Sequence, residues 1–168
     1  HSKNVFGSEI NALKLAESLT QHYNVYIFVN IDSSDEIIYN NVNYLSLYKI
    51  NDFKDLDILI IVRYINYFLY NHHHAKKTII WICDTIINPV YNGDRLHDNA
   101  SHLIYNFKDK INHLVFLSDW HKYNNSQIVD LSLFNNHIIY NPIDLSYYKP
   151  NIPIIKNRFI YMSDPNRG

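Results

Sequence analysis

One cysteine, one methionine, two tryptophans and only three glycines occur in 168 residues. The lone Cys83 excludes an internal disulfide framework and fits a reducing compartment. An excess of one charge sign is also missing. Fifteen Lys and Arg face sixteen Asp and Glu, for a formal net charge of -1. That balance gives no general attraction to nucleic acid or to a membrane surface. No apolar run reaches the roughly 18 residues of a spanning helix. The first residues carry no secretory leader pattern. These absences predict a cytoplasmic protein without a membrane span or a nucleic-acid partner. What is present is globular: 47% hydrophobic and 18% charged residues, with 15 tyrosines and 8 phenylalanines. The length suits one domain able to bury a core without covalent staples.

With glycine so scarce, the placement of Gly7 carries weight. Residues 6–29 read as a tight glycine loop, an amphipathic helix and a buried strand. A residue without a Cβ lets the backbone bend sharply and lets a ligand come close. Ser8 is placed to cap the helix and Glu9 sits in its first turn, where a negative charge suits the dipole. Ala12, Leu15, Ala16 and Leu19 form one apolar stripe. Val25, Ile27 and Val29 then open an apolar run of the kind a buried parallel strand needs. Loop, helix start and strand in that order form a ready anion site. An ordinary capped helix without a ligand fits the same residues.

Further along, residues 30–41 are polar around a short strand at 37–39, and 42–47 form another. Residues 52–57 are a charged connection. The β-branched run 58–62 and the run 78–82 predict strands. Residues 64–70 predict a short aromatic helix or turn between them. Residues 84–98, with Pro89 and Gly93, form a long loop after a strand end, where open parallel sheets hold their ligands. Helical spacing returns over 100–111. A strand at 114–117, a capped helix over 118–130 and a strand at 137–140 follow. The proline-bearing stretch 141–157 reads as a linker, and 159–162 begins something new. Strands alternating with helices predict an α/β fold, a Rossmann-like parallel sheet with helices on both faces. Gly7, Cys83, Asp84 and Ser118 then gather at the carboxyl edge of the strands.

The candidate groups each have a plain reading beside the functional one. His72, His73 and His74 are consecutive, point in different directions on any regular element and make a poor metal site, so a solvated loop is expected. Cys83 needs a neighbouring base to act as a nucleophile, and a buried thiol is the simpler reading. Asp84, a carboxylate at the end of a hydrophobic strand, stands where ligands arrive, and solvation competes evenly with function. Arg167, beside Gly168, offers a planar fork for a phosphate or is an exposed side chain near a chain end. The tyrosines, among them Tyr64, Tyr67 and Tyr70, read as packing.

Five pieces, taken in order, resemble one family. They are Gly7-Ser-Glu with its helix, Trp81-Ile-Cys-Asp84, Val115-Phe-Leu-Ser-Asp-Trp-His121, Ile139-Tyr-Asn-Pro-Ile-Asp144 and Phe159-Ile-Tyr-Met-Ser-Asp-Pro-Asn-Arg-Gly168. This set is similar to the N-terminal, acceptor-side half of family 4 glycosyltransferases, which have the GT-B fold of two Rossmann-like domains. The resemblance implies a Rossmann-like domain over 1–150, and over 151–168 a linker and the first strand of a truncated second domain. It implies a hexosyltransferase-like enzyme that moves a sugar from a nucleotide-sugar donor to an acceptor hydroxyl with retention.

In the resemblance, Gly7 and Ser8 belong to a loop whose amides meet the donor diphosphate. Asp84 takes a catalytic-site position and Arg167 a basic position against the diphosphate. No metal and no cofactor beyond the donor substrate are implied, and the acceptor is a glycan, lipid or protein. Phe6 stands where the family has a first glycine, Cys83 where it has a histidine, and Pro142 where it has a glycine. The family's paired glutamates would follow Gly168, so this stretch alone is expected to be nearly inactive. Oligomer formation is left open. The alternative is a non-catalytic binding or scaffold module that kept the fold. A dinucleotide oxidoreductase fits poorly, because no further glycines follow Gly7 at the needed spacing.

Overall fold

A computed structural model describes residues 7–31, 36–71, 74–84, 90–91, 94–95, 100–142, 153 and 156–157. The first helix, α1 (Gly7–Leu19), leads into β1 (Val25–Val29). β2 (Ile37–Tyr39) and β3 (Val42–Ser46) form a hairpin. Asn40 and Asn41 lie between them, both with positive φ (49° and 62°). A two-residue hairpin turn requires that conformation, and asparagine tolerates it. β1 pairs with β3 in parallel, so this sheet has the order β1-β3-β2.

The second sheet carries the core. β4 (Asp55–Val62), β5 (His74–Trp81), β8 (His113–Phe116) and β9 (Asn135–Ile138) lie side by side in that order, all parallel. Between them come α2 (Tyr67–Tyr70), α3 (Ala100–Asn106) and α4 (Asp119–Ser126). β6 (Val90–Tyr91) and β7 (Asp94–Arg95) pair antiparallel. A parallel sheet flanked by helices is the Rossmann-like α/β arrangement expected from the alternation of strand and helix patterns.

Alternate side chains on these strands face the same way, and the parallel register stacks them. Leu59, Ile61, Ile80, Ile82, Leu114 and Phe116 fall on one face and enter one buried cluster. Phe68 of α2 and Leu103 and Ile104 of α3 close that cluster, with Val129, Leu131 and Phe134 from the segment after α4. Phe68 also stacks on Phe107, ring centroids 5.2 Å apart.

Several expectations need correction. β2 runs antiparallel to β3. β1 is only half-buried, and Tyr26 is exposed. Among the described residues β1 pairs with β3 alone, and α1 buries only Ala16 of its expected stripe. β4 and β5 start earlier than their apolar runs. The register pairs Asp55 with His74, and the exposed Lys76–Asp57 ion pair spans the same region. His74 therefore opens a strand instead of lying in a solvated loop; His72 and His73 lie outside the described residues. The loop over 84–98 contains the β6–β7 hairpin. α3 ends at Asn106 and is followed by a 3₁₀ turn, Lys108–Lys110. α4 ends at Ser126, short of residue 130. β9 lies two residues before the expected strand, because pairing with β8 begins at Asn135. The expected linker and second-domain strand, including Asp144, Arg167 and Gly168, fall almost wholly outside the described residues.

Candidate functional site

The carboxyl ends of the four parallel strands meet the start of α1 around a cleft of about 490 Å³. Gly7, Ser8, Glu9 and Asn11 line it from α1. Arg63 and Tyr64 enter just after β4, Cys83 and Asp84 after β5, Leu117 after β8 and Asn141 after β9. Open parallel sheets offer their ligand crevice at this edge, because the strand ends release the chain into loops there.

Gly7 does not lie in the expected tight loop. It is the first residue of α1, and nothing lies within 4 Å of where a Cβ would be. Its contribution is therefore bare, approachable backbone. Ser8 lies inside α1 and is not its cap. The first four N–H groups of any helix have no partner within it, and it is this end of α1 that faces the cleft.

Arg63 is the residue that sequence reasoning missed. Its φ is 72°, a left-handed conformation costly for a residue with a Cβ. Its own N–H donates to the Trp81 carbonyl (3.0 Å), and the Tyr64 N–H donates to the Val62 carbonyl (2.9 Å). The chain thus finishes its ladder and turns out of the sheet within two residues. The guanidinium donates from Nε to Asp84 Oδ2 (3.1 Å) and from Nη2 to Asp84 Oδ1 (3.0 Å). Burial alone pushes the guanidinium pKa down; the Asp84 carboxylate, bonded and adjacent, outweighs it, and the net shift is upward. The Tyr64 ring centroid lies 5.7 Å from the guanidinium carbon.

Asp84 is held from behind by His121. The Leu117 N–H donates to His121 Nδ1 (3.1 Å). That nitrogen must then be the acceptor, so Nε2 carries the proton and donates to the Asp84 carbonyl. His121 is 4% exposed, and its ring meets Phe116 edge-on at 5.7 Å. Burial lowers its pKa, partly offset by the bond and charge of Asp84. A neutral imidazole is what this geometry requires. Ser118, expected at the ligand edge, instead caps α4: its Oγ accepts from the His121 N–H at 3.1 Å.

Cys83 lines the cleft as a poor nucleophile. Burial, with the negative charge of Asp84, pushes its thiol up to about 11. A thiolate is scarce at neutral pH under those conditions. Its Sγ lies 3.7 Å from the Trp81 carbonyl. Among the described residues no group of three or more His, Cys, Asp or Glu side chains could hold a metal ion.

Of the residues singled out in the sequence, Gly7, Ser8, Cys83 and Asp84 line one cleft together, and Ser118 sits one residue beyond Leu117 as a cap. Arg63 had a usable signal. It directly follows an apolar strand, the same position that drew attention to Asp84. Tyr64 was read as packing and instead lies 47% exposed at the cleft. Comparison with known proteins finds no match for this chain, neither a family model nor a curated protein nor a solved structure.

Proposed function

We propose that this domain is the acceptor-side half of a glycosyltransferase, which moves a sugar from a nucleotide-sugar donor to an acceptor hydroxyl with retention. The observation that carries the reading is the single cleft that unites the start of α1 with Asp84 and Asn141 at the carboxyl edge. Four of the five resembling pieces contribute residues to it. In this reading the Gly7 and Ser8 amides meet the donor diphosphate, and Arg167 adds a cation. Asp84 sits at the transfer point and holds the acceptor in line, where orientation supplies much of the rate. A closing second domain builds the rest of the donor pocket. Among the described residues no helix is long and apolar enough to cross a membrane.

A second reading, a binding module without chemistry, is favoured by one feature. Both Asp84 carboxylate oxygens already accept from Arg63, which leaves Asp84 a holding role more than a proton-moving one. The full-length protein separates the two. Incubated with nucleotide sugars and glycan acceptors, it is expected to release nucleoside diphosphate in an acceptor-dependent way. Asp84→Ala should lower that rate by about 100-fold, the scale of a misplaced reactant. Absence of release with every common nucleotide sugar would leave the binding module standing.

A further inference from the structure

We propose that the ligand held by this cleft as acceptor is a neutral polyhydroxylated molecule, a sugar unit, and that the Arg63–Asp84 pair is its recognition element. The inference rests on the glycosyltransferase reading for the word acceptor; the binding chemistry stands on the cleft itself. Three observations carry it.

The first is charge. The described residues lining the cleft hold one cation, Arg63, and two carboxylates, Glu9 and Asp84. The guanidinium already has Asp84 as its counter-ion at 3.0 Å. The positive end of α1 offsets Glu9 in its first turn. Among the described lining residues no uncompensated positive side chain is left for a phosphate, sulfate or carboxylate on the acceptor. A charged acceptor would bring a third negative group into a partly enclosed space, where like charges repel more strongly than in water. The donor's diphosphate, by the same count, depends on cations outside these residues.

The second is unused hydrogen-bonding capacity. A guanidinium has five N–H donors and the fork to Asp84 uses two. Each carboxylate oxygen accepts one of those bonds and keeps a further lone-pair site. The pair therefore presents donors and acceptors side by side in one plane. Neighbouring hydroxyls on a sugar ring match that: one accepts from Arg63 while the next donates to Asp84. Asn11, Asn141 and Ser8 add neutral groups that both donate and accept.

The third is preorganisation. The Arg63 backbone is kept in a left-handed conformation by bonds on either side of it, and His121 locks the Asp84 carbonyl. A recognition element fixed before the ligand arrives loses little freedom on binding.

Saturation-transfer NMR on the full-length protein tests this with methyl glucoside, methyl galactoside and methyl mannoside, against glucose 6-phosphate and glucuronate. The expected result is saturation transfer to at least one neutral glycoside and at least tenfold weaker binding of both anions. Arg63→Lys, which keeps the charge and loses the fork, and Asp84→Asn, which keeps the shape and loses the charge, should each weaken the neutral ligand at least tenfold. Asn141→Ala provides a third variant, expected to weaken it several-fold, if either of the others fails to fold. The proposal is overturned if no neutral glycoside receives saturation, if an anion binds more tightly, or if the folded variants bind like the parent. Glycoside binding without nucleoside diphosphate release sinks the enzyme reading alone. Release only with a phosphorylated acceptor sinks the neutral-acceptor proposal alone.

Discussion

Phe116→Ala is expected to destabilise the domain by about 3–5 kcal/mol, the cost of deleting a large buried aromatic. Phe116 is 0% exposed and ends β8 in the centre of the parallel sheet. Its neighbours in the cluster come from strands and helices far apart in the chain, so the hole it leaves has no flexible side to collapse. At roughly 2–4 °C per kcal/mol for a chain of this size, the thermal transition should fall by about 6–20 °C. Calorimetry or circular dichroism reads this directly. The same ring backs His121, so a folded Phe116→Leu protein should show weaker ligand binding before it shows a large loss of stability. A Phe116→Ala protein with an unchanged transition would mean that this sheet is not the core.

His121→Ala is expected to cost about 2–4 kcal/mol, from lost packing and from two backbone groups left without partners. The Leu117 N–H and the Asp84 carbonyl both lose their bonds, and the second of these holds the backbone of the residue that pairs with Arg63. This cost should depend on pH. The folded pKa of His121 lies below its ordinary value because burial disfavours the charged ring. The unfolded chain therefore binds the proton more readily. Stability from this group is fully present above its unfolded pKa of about 6.5 and drains away as the pH falls through the lower folded value. The gap in stability between the parent and His121→Ala should narrow between about pH 7.5 and pH 5. A gap that widens on acidification would mean that His121 is charged in the fold.

The strands legible in the sequence were those whose side chains are apolar on consecutive positions. Residues 58–62 and 78–82 announce themselves by apolar side chains on both faces, although only Leu59, Ile61, Ile80 and Ile82 enter the buried cluster and Ile58 stays exposed. Asp55, Asp57 and Lys76 gave no such signal, since their backbones join the ladder while their side chains stay in water. β9 was displaced for a related reason. Asn135 and Asn136 are chosen for the sheet by the register with β8, whereas Ile139 and Tyr140 look more strand-like and remain exposed. The Asn40–Asn41 turn was readable in principle, because asparagine is one of few residues that accept a positive φ.

The site was half legible. Strand ends are where ligands meet an open parallel sheet, and that rule was enough to single out Asp84. Applied to every strand, it also reaches Arg63 after β4 and Asn141 after β9. The pairing of Arg63 with Asp84 was not readable, because 20 residues separate them and only the parallel register of β4 with β5 sets their ends side by side. Nor was the buried role of His121, whose neighbours Ser118 and Asp119 advertise a helix cap and nothing more.

The most direct test of the account is amide chemical-shift mapping on the full-length protein with a nucleotide sugar and a neutral glycoside added together. The cleft at the carboxyl edge predicts shifts at Ser8, Glu9 and Asn11, at Arg63 and Tyr64, and at Asp84 and Asn141. Shifts confined to the exposed Ile37–Tyr39 strand, or to other surface away from the strand ends, would contradict it.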